Sequence, residues 1–180
     1  MAVLVAAVVL LGGLVLVNLL LTTAIIRKLR TLGKESSLGG EVPELGLAVG
    51  AEVPPFSAVT VADAKVGSAD FAGERTLVGF FSTDCRHCLP KAPAFVAAAR
   101  DAAADGVRTL AVVVVHGEDP ANLLAALADE VSVVVESEGG AISTAFAIAG
   151  FPSFFLVGPD TTVDARGHEP ERLPAAPSRA

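Results

Sequence analysis

Cys85 and Cys88 are the only cysteines in a chain of 180 residues, and they stand three positions apart in the run FFSTDCRHCLPKAP. Such a pair can exchange disulfides with another thiol. It can supply half of a metal site, completed by a distant His116 or His168, since thiolate and imidazole ligands suit copper or zinc. It can also form a fixed structural disulfide, or pack as two inert core thiols. A bridge closing so short a loop gives little entropic stabilisation, and core thiols have no need of the charged spacers Arg86 and His87. Two cysteines are too few for a four-thiolate zinc site or a disulfide framework. Disulfide exchange accounts for more of these residues than its rivals do.

The elements around the pair give it a specific location. Thr76 to Ser82 (TLVGFFS) is an apolar run of the kind that forms a strand buried on both faces. Leu89 to Asp105 is Ala-rich with helical spacing and stops at Gly106. Cys85 is therefore expected to open a helix directly after a buried strand. First-turn amides have no backbone partner, and the macrodipole adds partial positive charge, so a thiolate there is stabilised. Arg86 and His87 are expected to add positive charge. Cys88, one turn later on the same side of the helix, would be the shielded resolving thiol and Cys85 the exposed attacker.

Further strands are expected at Thr109–Val115, Val131–Val135, Ser153–Val157 and Thr162–Ala165, the last two forming a hairpin around a GPDT turn. Helices are expected from Asp119–Pro120 to Glu130 and from Ala141 to Ala149. Strands alternating with helices and ending in a hairpin imply an α/β fold. Its central mixed sheet is parallel at first and antiparallel at the end, with helices on both faces.

Ahead of this domain, Ala2 to Ile26 carries no charge, long enough as a helix to cross a bilayer core of roughly 30 Å. A cleaved signal peptide normally has a basic start, a shorter apolar core and a small-x-small cleavage site. Here the basic residues Arg27, Lys28, Arg30 and Lys34 all follow the run, so an uncleaved single-pass anchor is the better reading. Asn18 is its one strongly polar residue, tolerated there or bonded to a partner helix. The expected organisation is a transmembrane anchor at 2–26, a juxtamembrane linker at 27–49, the folded domain at 50–167 and a polar, disordered tail at 168–180. The basic cluster alone would place the domain in the cytoplasm. A formal net charge of −7 gives nucleic-acid binding no support.

With the strand TLVGFF, the motif CRHC at its end, Pro93 five residues past Cys88, and GFPSFFLV, the chain resembles the thioredoxin superfamily over roughly Gly50 to Gly167. The resemblance implies that Pro93 kinks the active-site helix. It implies that Pro152 is the cis-proline beside the cysteines, where flanking backbone pairs with an extended substrate, and that Phe151 faces the pair and narrows access. GAEVPPF ahead of the first strand is similar to membrane-anchored TlpA-type thiol-disulfide oxidoreductases, and anchor plus linker is similar to MauD-type accessory proteins of methylamine dehydrogenase maturation. This likeness implies exchange with protein thiols or disulfides, no cofactor beyond the Cys85–Cys88 disulfide, a membrane redox partner, and a domain outside the cytoplasmic membrane.

The chain departs from the family at several positions. Asp84 replaces a frequent tryptophan; it is expected to cap the helix and to oppose the thiolate. Gly79 stands where thioredoxins carry a buried Asp that assists the resolving thiol. Arg86–His87 replaces Gly-Pro, and a histidine next to the resolving cysteine, as His87 is, resembles the more oxidising members. No convincing last helix is visible. Ser82, Thr83 and Arg86 loosely offer a peroxidase constellation, His116 reads as a loop-edge histidine, and Lys91 reads as a solvated helix residue. Two other function classes stay open: a copper-binding metallochaperone for oxidase assembly, and a redox-inactive adaptor with the same fold.

Overall fold

The structure is a computed structural model that describes Met1, residues 11–13 and residues 46–173. The chain divides into two compact units, Met1–Val42 and Pro43–Ala180. In the first, residues 11–13 are helical; the rest of the expected 2–26 anchor lies outside the described residues. Among the described residues no helix is long and apolar enough to cross a membrane.

The second unit is built on a five-stranded sheet. Its strands are β3 (Thr76–Ser82), β4 (Arg108–Val115), β5 (Ser132–Ser137), β6 (Ser153–Val157) and β7 (Val163–Gly167). Their spatial order is β5-β4-β3-β6-β7. β3, β4 and β5 run parallel, while β6 is antiparallel to β3 and β7 to β6. A separate antiparallel hairpin, β1 (Ser57–Val59) with β2 (Lys65–Gly67), precedes them.

Side chains alternate across the sheet, so each central strand feeds two cores. Leu77 and Phe81 of β3 face one core; Val78 and Phe80 face the other. The first core is covered by α1 (Cys88–Ala104) and α2 (Ala121–Leu127), the second by α3 (Ala141–Ala145) and the β1–β2 hairpin. In α1 the buried positions Cys88, Ala92, Phe95, Val96, Ala99 and Ala102 recur at helical spacing, which defines one apolar face. Phenylalanines fill each side. Phe81, Phe95 and Phe154 meet at centroid distances of 5.4 to 5.7 Å, and Phe80, Phe146 and Phe155 at 5.1 to 5.7 Å.

Several expectations shift. The second helix ends at Leu127 rather than near Glu130, and Pro120 is its N-cap while Asp119 accepts from the Ala121 amide at 2.9 Å. The third helix stops at Ala145; Ala147 takes φ 50°, which breaks the helical path. Residues 46 and 47, read as linker, are bound to the domain: Arg166 donates to both carbonyls at 2.9 and 3.0 Å. Residues 168–173, read as disordered tail, are packed. They include a short 3-10 turn, Pro170–Arg172, with Pro170 buried and Leu173 against the α1-side core. The remainder, 174–180, lies outside the described residues.

Candidate active site

The parallel strands β3 and β4 end side by side, Ser82 pairing with Val114. The carboxyl edge of parallel strands is where loops converge on a ligand. From it the turn Thr83–His87 leads into α1. Cys88 is the first helical residue and His87 its N-cap, whereas Cys85 lies before the helix. The expectation that CRHC forms the helix's first turn is corrected accordingly. The Cys88 amide donates to the Cys85 carbonyl at 3.0 Å, closing a tight turn that brings the pair together.

Both cysteines are free thiols with opposite surroundings. Cys85 is half-buried and opens onto a cavity of about 470 Å³ that Asp84, Arg86, Glu118 and Asp119 help line. Cys88 is fully buried, and its sulfur accepts from the Ser82 amide at 3.4 Å. Burial pushes the Cys88 thiol well up from its ordinary value near 9, and the hydrogen bond with Cys85 pushes it the same way. Asp84's charge adds to the rise; the Ser82 amide opposes it. The arrangement has one accessible sulfur and one held as a protonated thiol, in hydrogen-bonding contact.

The flanking residues behave differently from expectation. Arg86 Nε donates to His87 Nε2 at 2.9 Å. Arginine has no acceptor, so the facing histidine nitrogen carries no proton. The two spacers are thus paired with each other rather than both directing positive charge at Cys85. Asp84 does not cap α1, whose N-cap makes no side-chain bond. Its carboxylate instead accepts a short hydrogen bond from the Ser82 hydroxyl. Ser82 Oγ also lies 3.0 Å from His116 Nδ1, and the His116 amide donates to Thr83 Oγ1 at 2.9 Å. The groups a peroxidase constellation would use are therefore engaged with their neighbours. Gly79 is explained by packing: a Cβ there would lie 2.6 Å from the Phe95 ring.

On the other side, the Phe151–Pro152 peptide is cis. Register pairs Phe80 with Ser153, so this peptide lies beside the end of β3. Phe151, Pro152, His87, Lys91, His168 and Glu169 line a groove of about 310 Å³. His168 Nδ1 lies 2.7 Å from the Pro152 carbonyl oxygen. Lys91 is not a free solvated residue; it pairs with Glu169 in a short contact. Pro93 lies inside α1, where it lacks the amide that would bond the Leu89 carbonyl. Among the described residues no group of three or more His, Cys, Asp or Glu could hold a metal ion. Sequence reading missed Ser82 with His116, and His168 with Pro152. The strand register was the available signal for His116, because the residue after β4 must emerge beside the residue after β3.

A family model for AhpC/TSA proteins matches residues 49–166, a span that includes both cysteines, Pro152 and all of the sheet but Gly167. The chain belongs to the AhpC/TSA family. No curated protein sequence matches it. Solved structures similar to this AhpC/TSA domain include the thioredoxin domain of a Bacteroides vulgatus thiol-disulfide oxidoreductase. That likeness has 20% identity and a TM-score of 0.57, covering 68% of this chain and 90% of that one. A thiol:disulfide interchange protein from Bacteroides sp. matches at 21% identity and TM-score 0.54, covering 67% and 81%. A secreted Mycobacterium tuberculosis disulfide oxidoreductase, homologous to Escherichia coli DsbE, matches at 19% identity and TM-score 0.51, covering 63% and 83%. At these identities what is shared is the fold: the AhpC/TSA domain is thioredoxin-like.

Proposed function

We propose that the protein is a thiol-disulfide oxidoreductase that exchanges disulfides with other proteins through Cys85 and Cys88. The observation that carries this reading is the accessible Cys85 sulfur in contact with the buried Cys88 thiol at the strand-to-helix corner. In the reductive direction, Cys85 thiolate attacks a substrate disulfide, one sulfur leaves as a thiolate, and a mixed disulfide forms. Cys88 then loses its proton and attacks the Cys85 sulfur. The Cys85–Cys88 bond forms, the Cys85–substrate bond breaks, and the second substrate sulfur leaves with the electron pair. The oxidative direction is the reverse. The adjacent Asp84 favours the reductive direction, because its negative charge raises the Cys88 thiol and a less stable reduced thiolate lowers the reduction potential.

The groove at Phe151–Pro152 is the place for an extended substrate chain. The charge-free run at 2–26 anchors the protein to the membrane, with the domain outside the cytoplasm and a membrane redox partner to recycle it, as in TlpA-type proteins. A disulfide-permissive compartment suits the chemistry, and the Mycobacterium tuberculosis structural neighbour is described as secreted.

Trapping tests the reading. Cys88→Ser cannot resolve a mixed disulfide, so it accumulates Cys85-linked adducts with partner proteins, and the additional Cys85→Ser change removes them. If Cys88→Ser forms no such adduct from either redox direction, exchange with proteins is refuted.

A further inference from the structure

Beside the cysteine pair lies a hydrogen-bonded group that the exchange steps do not use. Ser82, 1% exposed, ends β3, and its hydroxyl touches two ionisable side chains. Its one proton goes to the Asp84 carboxylate, so His116 Nδ1, 3.0 Å away, is the donor to Ser82 Oγ. The chain runs in one direction: His116 Nδ1–H to Ser82 Oγ–H to Asp84. The His116 amide is bonded to Thr83 Oγ1 at 2.9 Å, and the ring meets the Phe151 edge at a centroid distance of 6.1 Å. The charged groups facing it are Asp84, 3.8 Å from Nδ1 on the β3–α1 turn, and Glu138, 3.9 Å from Nε2 in the turn after β5. Glu118 lies two residues along its own loop; Phe151, from the segment before β6, is apolar.

Asp84 is the residue before Cys85, and its charge acts on Cys88. A buried acid cannot occupy position 79, because the Phe95 ring fills that space. The acidic influence on the pair comes from Asp84 instead, and Asp84 is tied to a histidine.

We propose that His116 is a positioning residue for disulfide exchange: acting through Ser82, it anchors the Asp84 carboxylate and offsets its charge where that charge bears on Cys85 and Cys88. With His116 protonated, Asp84 is compensated and Cys85 is freer to react as the thiolate. With His116 neutral, Asp84 opposes the thiolate in full. The inference rests on the exchange reading for its purpose, but its mechanism concerns Cys85 reactivity alone.

The test measures the rate at which Cys85 in the reduced, full-length protein is alkylated by iodoacetamide from pH 5 to pH 9. His116→Gln, which keeps a hydrogen bond without the charge, is expected to react about threefold or more slowly than wild type at pH 5.5. In an Asp84→Asn background the same His116→Gln change is expected to have no effect, since no charge remains to offset. A His116→Gln profile that superimposes on wild type overturns the proposal. So does an equal effect of His116→Gln with and without Asp84, which would mark a purely structural role. A pair that alkylates as expected yet never traps a partner sinks the exchange reading while leaving this inference standing.

Discussion

Residue by residue, the site separates two thiols that are chemically identical in an unfolded chain. Cys88 is fully buried and its thiol is pushed up from the ordinary value near 9. The folded, reduced state therefore keeps a proton that the unfolded chain gives up as pH rises past that value. Below it both states are protonated and stability does not change. Above it the unfolded state binds fewer protons, so stability falls with pH, by up to about 1.4 kcal/mol per unit. Chemical denaturation of the reduced protein between pH 8 and 10.5 is expected to show this loss, and reduced Cys88→Ala to lack that component. Equal slopes in the two proteins would mean that Cys88 burial does not set this dependence. The cysteines and their flanking charges were legible in the sequence because all lie in one short run. Which of those charges touch was not. Arg86 turned onto His87, and Asp84 turned away from the helix to Ser82, because a turn rather than a helical first turn carries these residues.

At the scale of elements, the sheet does the positioning. β3 and β6 were readable as apolar runs bounded by turn residues, and both match the observed strands at Thr76–Ser82 and Ser153–Val157. The β1–β2 hairpin was missed because each strand has three residues and only Val66 among them is buried, too little for a periodic signal. His116 stands at the loop edge after β4 as expected, but its pairing with Ser82 was missed, because the two are 34 positions apart and are brought near only by the parallel register. Gly79 shows the sheet and α1 acting together. Its missing side chain is the space taken by Phe95, itself packed on Phe81 and Phe154. Gly79→Ala is expected to destabilise the domain by about 1–3 kcal/mol through overpacking, measured as a lower denaturation midpoint. Phe95→Leu in the same chain is expected to recover part of that loss. A Gly79→Ala protein as stable as wild type would mean that the ring moves aside freely.

For the whole molecule, the chain from residue 46 to residue 173 forms the AhpC/TSA domain, with the segment 168–173 folded against it by Lys91–Glu169 and by His168 at the Pro152 carbonyl. Composition hid this, since HEPERL reads as polar tail while its contacts are made to α1 and to the Pro152 carbonyl. Glu169→Ala is expected to leave the fold intact and loosen the groove beside Pro152, seen as faster hydrogen exchange confined to residues 167–173; unchanged exchange there would show that the ion pair holds nothing. The membrane proposal is tested on the full chain. A C-terminal alkaline phosphatase fusion is expected to be active, and a fusion that is inactive while a cytoplasmic reporter at the same point works would place the domain inside.

At every scale the proposed chemistry requires Cys85 and Cys88 to act as one redox centre. Equilibrating the protein in thiol-disulfide buffers of graded potential, alkylating free thiols and weighing the products measures this directly. Both thiols are expected to disappear together in a single two-electron transition, nearer to about −270 mV than to about −120 mV. Two thiols that stay independently alkylated across the whole range would contradict it.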